Sequence, residues 1–347
     1  IFSNGDNDTF PLWYNQEVEE EGTDLRVCNL SYLQTDWYIS QMKRPYYQSK
    51  ALPISWDYKD YMPGANEVVW VDNRLNAPLS VAKAFEFLRS DDPRTKRDGE
   101  NYIPSNQLYI NGIDGEQINI KQAKRYTRSE MMILEMLEQN KWERPIYFAV
   151  TVGDDYYLGL KPYFELTGLA YRITPNRSAD GQPRVNTEVM YENMMHKFKY
   201  GNMNIPGIYI DENLMRMCTT HRRMFLELAE ALIREGNREK AMKVLDYSEE
   251  MLPGYNIPYD YISASMASLY YFLDEQEKAN RIMTAVADNC VEYLEWGTTL
   301  SKQQRKAADM TLAQQGGILG YILQNLERYG QQELFDQYYA SYIQYVR

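Results

Sequence analysis

The chain has 347 residues, 44% hydrophobic and 25% charged, with a formal charge of −12. That length gives room for two or three domains; the acidic balance and the lack of a Lys/Arg-rich stripe exclude the basic face that nucleic acid demands. No run of about 18 apolar residues reads as a membrane span, no signal peptide is visible, and with no C-x-x-C pair, no H-E-x-x-H and only His196 and His221, zinc and Ser–His chemistry have little to draw on.

The chain opens on Ile1-Phe2, which reads as the end of a strand, followed by the turn-forming Ser3-Asn4-Gly5-Asp6-Asn7-Asp8-Thr9. Residues 10–20 read as helix, with Asp8 or Thr9 as its cap and Pro11 in its first turn. "LRVCNLSYL" (25–33) is a short apolar run bounded by polar residues, the pattern of a buried strand. Strand, helix and strand within about 30 residues make a βαβ unit. "EVVWVD" (67–72) predicts a further strand, and "SVAKAFEFLRSDDP" (80–93) an amphipathic helix capped by Ser80 and stopped before Pro93.

Residues 94–125 are polar and broken, with strand signals at "NQLYI" and "QINI". "TRSEMMILEMLEQN" (127–140) has capping-box spacing between Thr127 and Glu130, and Met131, Leu134 and Leu137 fall on one face. "RPIYFAVTV" (144–152) and "LTGLAYRIT" (166–174) read as two more strands, and 175–187, rich in Asn, Ser, Gly and Pro, as an exposed loop. The three cysteines, Cys28, Cys218 and Cys290, read as buried free thiols, with one disulfide left open.

From about residue 212 the pattern is helical throughout, and it repeats. Phe225, Leu228, Ala229, Leu232, Ala241, Leu245 and Pro253 fall at the positions of the tetratricopeptide helix pair, in which small residues let two helices approach closely. A second unit places Ala267, Tyr270, Ala279 and Met283 equivalently, and a third is weaker because Phe335 stands where a small residue is expected. The expected architecture is a mixed α/β domain over 1–185, a connecting segment over 186–211 and an all-α, tetratricopeptide-like helical repeat domain over 212–347.

Two aspartates at the end of a strand allow two readings. Asx residues after a strand form turns and cap helices. The carboxyl ends of strands are also where open α/β sheets place ligands, and two carboxylates two residues apart suit an acceptor hydroxyl or a divalent cation. An EF-hand is excluded because its glycine and distal glutamate are missing. Trp13-Tyr14 and Trp37-Tyr38 are two aromatic pairs in helical segments that follow strands; they either pack the helices onto the sheet or offer faces to a sugar or peptide. Asp36 reads first as part of an N-cap, and Asp154 in "GDDYYLGLKPY" lies beyond a strand that could share the same sheet edge. The candidate substrate-binding residues are therefore Asp6, Asp8, Trp13, Tyr14, Asp36 and Asp154. No cofactor is expected, a divalent cation at the aspartates being the alternative.

The segments "FSNGDNDTFPLWYNQEVE", "VCNLSYLQTDWYISQMKRP", "RSDDPRTK", "KWERPIYFAVTV" and "YLGLKPYFELTGLAYRITP" together resemble a bacterial membrane-protein family of unknown function that is similar to protein O-mannosyltransferases. The resemblance covers most of residues 1–175 and runs on into the helical tail. It implies that the chain is the extracytoplasmic C-terminal part of a polytopic glycosyltransferase-like protein. Such a part would be tethered at the periplasmic face of the inner membrane by helices that precede residue 1, which also accounts for a start without methionine. It implies partners in that membrane region and in an acceptor protein or glycan, with catalysis mainly in the membrane part. A looser likeness to oligosaccharyltransferases puts Asn4-Gly5-Asp6-Asn7-Asp8 where those enzymes carry an acceptor-binding loop. The competing expectations are a non-catalytic interaction module that binds peptides on its helical repeats, and a carboxylate-dependent glycan hydrolase.

Overall fold

The structure, a computed structural model, describes residues 1–113 and 115–346. The chain divides into two units, Ile1–Asn186 and Thr187–Arg347. The first is α/β and the second is helical among its described residues.

The βαβ start forms as the sequence suggests. Phe2–Ser3 and Cys28–Asn29 pair in parallel, Phe2 opposite Cys28 and Ser3 opposite Asn29, with a helix between them. They sit at one side of a six-stranded sheet in the order Arg184–Val185, Phe164–Leu166, Ala170–Ile173, Tyr147–Ala149, Phe2–Ser3, Cys28–Asn29. Tyr147–Ala149 is also parallel to Phe2–Ser3, so three carboxyl ends lie side by side.

Several boundaries differ from expectation, each for a local reason. The helix is Asp6–Glu17, not 10–20: Gly5 adopts φ 77° as its N-cap, and neither Asp8 nor Thr9 caps it. Pro11 lies inside this helix, which forfeits the bond that its N–H would have made one turn back. The strand read over 25–33 shrinks to Cys28–Asn29 because the Asn29 side-chain oxygen accepts from the N–H groups of Ser31 and Tyr32, a turn that ends pairing. Of 144–152 only Tyr147–Ala149 pairs. The segment read as one strand over 166–174 folds back at Gly168, so that Phe164–Leu166 lies antiparallel to Ala170–Ile173. Within 175–187, expected as an exposed loop, Ser178 is buried and Arg184–Val185 adds an edge strand.

Two smaller sheets complete the unit. Val68–Val71 runs between Glu100–Ile103 and Arg125–Thr127, and Leu108–Asn111 between Leu79–Ser80 and Gln117–Asn119. Val81–Arg89 starts where Ser80 accepts from the Lys83 N–H. Arg128–Asn140 starts at the capping box of Thr127 and Glu130. Its Met131, Met132, Ile133 and Leu134 are all fully buried, so this helix is not amphipathic in place but enclosed on all sides, as its unbroken apolar run allows. The core around it includes Leu30, Trp56, Phe85, Phe148 and Phe164.

In the second unit, the stretch read as a connector carries the helix Thr187–Glu192 and a π-helical turn, Asn193–Lys197. Three helix pairs follow: Glu212–Arg234 with Arg238–Met251, Tyr261–Phe272 with Gln276–Thr299, and Lys302–Arg328 with Gln332–Val346. Ala229 and Ala241 are fully buried in the first pair, as are Ala267 and Ala279 in the second. In the third pair, glycines provide close approach: Gly316 faces Val346 and Gly320 faces Tyr342. Arg222 is buried and donates to the carbonyls of Leu252, Ile257 and Pro258, binding the linker between the first two pairs. Among the described residues, no helix is long and apolar enough to cross a membrane.

Candidate functional site

Polar side chains gather at the carboxyl ends of the three parallel strands, but they satisfy one another. Asn29 Nδ2 donates to Thr9 Oγ1 at 2.8 Å, and the Thr9 and Ser3 hydroxyls are also 2.8 Å apart. Ser31 donates to Asn4 at 2.9 Å, and Thr151 to the Asp8 carboxylate at 2.5 Å. Asp6 is exposed in the first helical turn, where both aspartates meet the positive end of the helix dipole. Asp36 accepts from the Tyr58 hydroxyl at 2.9 Å, and Asp154 is exposed and paired with Lys161. Tyr14, also exposed, donates to Glu19. Among the described residues, no three His, Cys, Asp or Glu side chains come together so as to hold a metal ion.

A groove of about 200 Å³ lies between the helices Asp6–Glu17 and Asp36–Met42. Trp13, Trp37 and Tyr46 are among its walls, and Arg26, Tyr38 and Met42 line it more deeply. The second aromatic pair is split by the helix: Tyr38 is 1% exposed and its hydroxyl accepts from the Asn29 N–H, whereas Trp37 is 54% exposed. The packing role read for Trp37 therefore belongs to its neighbour. The aromatic rings continue along one surface, Phe10 stacked on Trp13 at 5.6 Å, Trp13 on Tyr32 at 6.2 Å, and Tyr32 beside Trp37 at 5.8 Å. Tyr46 and Tyr47 both donate to the Glu17 carboxylate, which closes one side of the groove. Those bonds hold Glu17 below the usual carboxylate range, and the one to Glu17 is the main cause that pushes the Tyr46 hydroxyl up to about 12.

Arg26 is the unusual group. It is 5% exposed, and it lies two residues before the strand Cys28–Asn29 and lines the groove. Nη2 donates to the Gln41 carbonyl at 2.8 Å, Nε points at Met42 Sδ at 3.5 Å, and the Tyr46 ring lies 5.3 Å from the guanidinium carbon. Nη1 is buried and has no hydrogen-bond partner. Burial draws the arginine below its ordinary value, but a guanidinium remains cationic.

Of the predicted site residues, the structure brings Trp13 into this groove and sets Asp6, Asp8, Tyr14, Asp36 and Asp154 outside its lining. Sequence reasoning missed Arg26, Glu17 and Tyr46. One signal was present for Arg26, a lone cation inside the apolar run 25–33. Nothing local marks Tyr46, which reaches Glu17 across 29 residues.

Residues 1–189 match the family described as TMEM260-associated domain 2. The match spans more than half of the 347 residues, and the chain belongs to that family. It covers the α/β unit and ends close to the boundary after Asn186. No curated protein and no solved structure matches the chain.

Proposed function

We propose that this chain is the extracytoplasmic part of a glycosyltransferase-like membrane protein and that its α/β unit holds a glycan on the acceptor for a catalytic centre elsewhere. One observation carries the reading: the groove walled by Trp13, Trp37 and Tyr46, with polar groups of Arg26, Glu17 and Gln41 around it. Aromatic faces with a few convergent polar groups suit a pyranose ring, whose C–H face stacks while its hydroxyls find partners. Membership of a TMEM260-associated family supports the link to a membrane protein, and the likeness to protein O-mannosyltransferases supports the transferase context. In this reading the chain is tethered at the periplasmic face by membrane helices outside it, and it shows little catalysis alone.

The test uses the full-length protein in its own cell. Trp13→Ala and Trp37→Ala are introduced together, the protein level is confirmed, and the envelope glycoprotein profile is compared with wild type. Loss of glycosylation at normal protein level supports the reading. An unchanged profile removes the groove from acceptor handling.

The second unit favours one further role. The full burial of Ala229, Ala241, Ala267 and Ala279 at equivalent places in two helix pairs is what a tetratricopeptide-like stack requires. Such a stack would serve as a peptide-binding surface. Peptide capture that is lost on changes within 212–347 alone would assign the working surface there.

A further inference from the structure

The floor of the groove carries a charge with no counterpart. The guanidinium of Arg26 is nine-tenths buried, two of its nitrogens are engaged by Gln41 and Met42, and Nη1 is left without a partner. The ionisable groups that act on it are Cys28, Tyr38, Tyr46 and Arg144. Burial pushes the Cys28 thiol up to about 12, and both tyrosines are raised, so all three are neutral near pH 7. The fourth is a second cation. Glu17 is exposed at the rim and engaged by Tyr46 and Tyr47 rather than by Arg26. A buried N–H without a partner is costly, and an anion beside a buried cation gains more than one in open water.

We propose that the groove selects an acidic pyranoside, its ring on Trp37 and its carboxylate accepting from Arg26 Nη1. This rests on the glycan-binding reading above and adds the charge of the ligand to it. The Tyr46 ring is exposed and lies 5.3 Å from the guanidinium carbon, so it stands beside the carboxylate in this pose. The aromatic walls favour a sugar over an acidic peptide side chain, because a flat ring face is what they can cover.

The test titrates the chain with methyl glucuronide and methyl glucoside, read by tryptophan fluorescence and saturation-transfer NMR. The expected result is at least a tenfold tighter affinity for the glucuronide, a preference lost in Arg26→Gln. Trp37→Ala, at a position 54% exposed, weakens both sugars. Equal affinity for the two sugars in wild type overturns the charge selection and leaves the groove as a neutral glycan site. No binding of either up to about 50 mM overturns both readings. Binding of a glutamate-rich peptide without binding of glucuronide overturns the sugar and leaves an acidic polypeptide as the occupant.

Discussion

The Thr151 hydroxyl donates to the Asp8 carboxylate at 2.5 Å, joining the segments that follow two adjacent parallel strands although 143 residues separate them. Asp8 thus fastens the sheet's carboxyl edge, where the sequence offered a choice between a cap and a ligand-binding group. The bond is exposed, so its contribution is modest. Asp8→Ala and Thr151→Val should each lower stability by at most about 1 kcal/mol. A double-mutant cycle in urea should show positive coupling between them. Asp8→Asn keeps an acceptor for Thr151 and should lie between wild type and Asp8→Ala.

Arg222 has a larger part in the second unit. It is fully buried, its two terminal nitrogens serve three carbonyls between Leu252 and Pro258, and Asp260 lies 3.7 Å away. Arg222→Ala strands those carbonyls and should cost about 3 kcal/mol, read as a shift in the urea midpoint. Arg222→Lys reaches fewer of them and should fall between.

Glu138 predicts a pH dependence. Its Oε2 is buried without a partner, and burial first, then the charge of Glu135, holds its carboxyl above the usual range. An acid whose folded pKa is raised stabilises the fold below its unfolded value of about 4.3, and that stability is lost as pH rises through the folded value. Glu138→Gln should therefore match wild type near pH 4 and become the more stable of the two as pH rises to about 7. Thermal melts across that range provide the measurement. A constant difference between the proteins would show that Glu138 ionises as readily folded as unfolded.

The three cysteines are free and buried, and burial raises all their thiols, those of Cys28 and Cys290 to about 12. Since the thiolate is the reactive form, a thiol reagent at pH 8 should label none of them in the folded chain. It should label all three in denaturant. Rapid labelling of one thiol in the native state would mark a local opening around it.

The sequence was most legible where one stretch of chain supplies its own evidence. The caps at Ser80 and at Thr127 with Glu130 rest on residues within one helical turn, and they stand as read; Met131, Leu134 and Leu137, read as one apolar face, are buried, but so are Met132 and Ile133 between them. Boundaries failed where a side chain bonded to nearby backbone, as Asn29 does to Ser31 and Tyr32, because such turns compete with strand pairing without changing hydrophobic pattern.

The sequence by itself thus determined that an α/β unit with a βαβ start precedes a helical one, since periodicity and capping are local properties. Only the tertiary structure decided that Trp13 rather than Tyr14 lines the groove, that Trp37 is exposed there and Tyr38 buried, that Asp8 meets Thr151, and that Arg26 keeps one nitrogen unpartnered. Those facts depend on groups brought together from 15 to 143 residues apart, and no pattern within a single segment encodes what a side chain will meet from another.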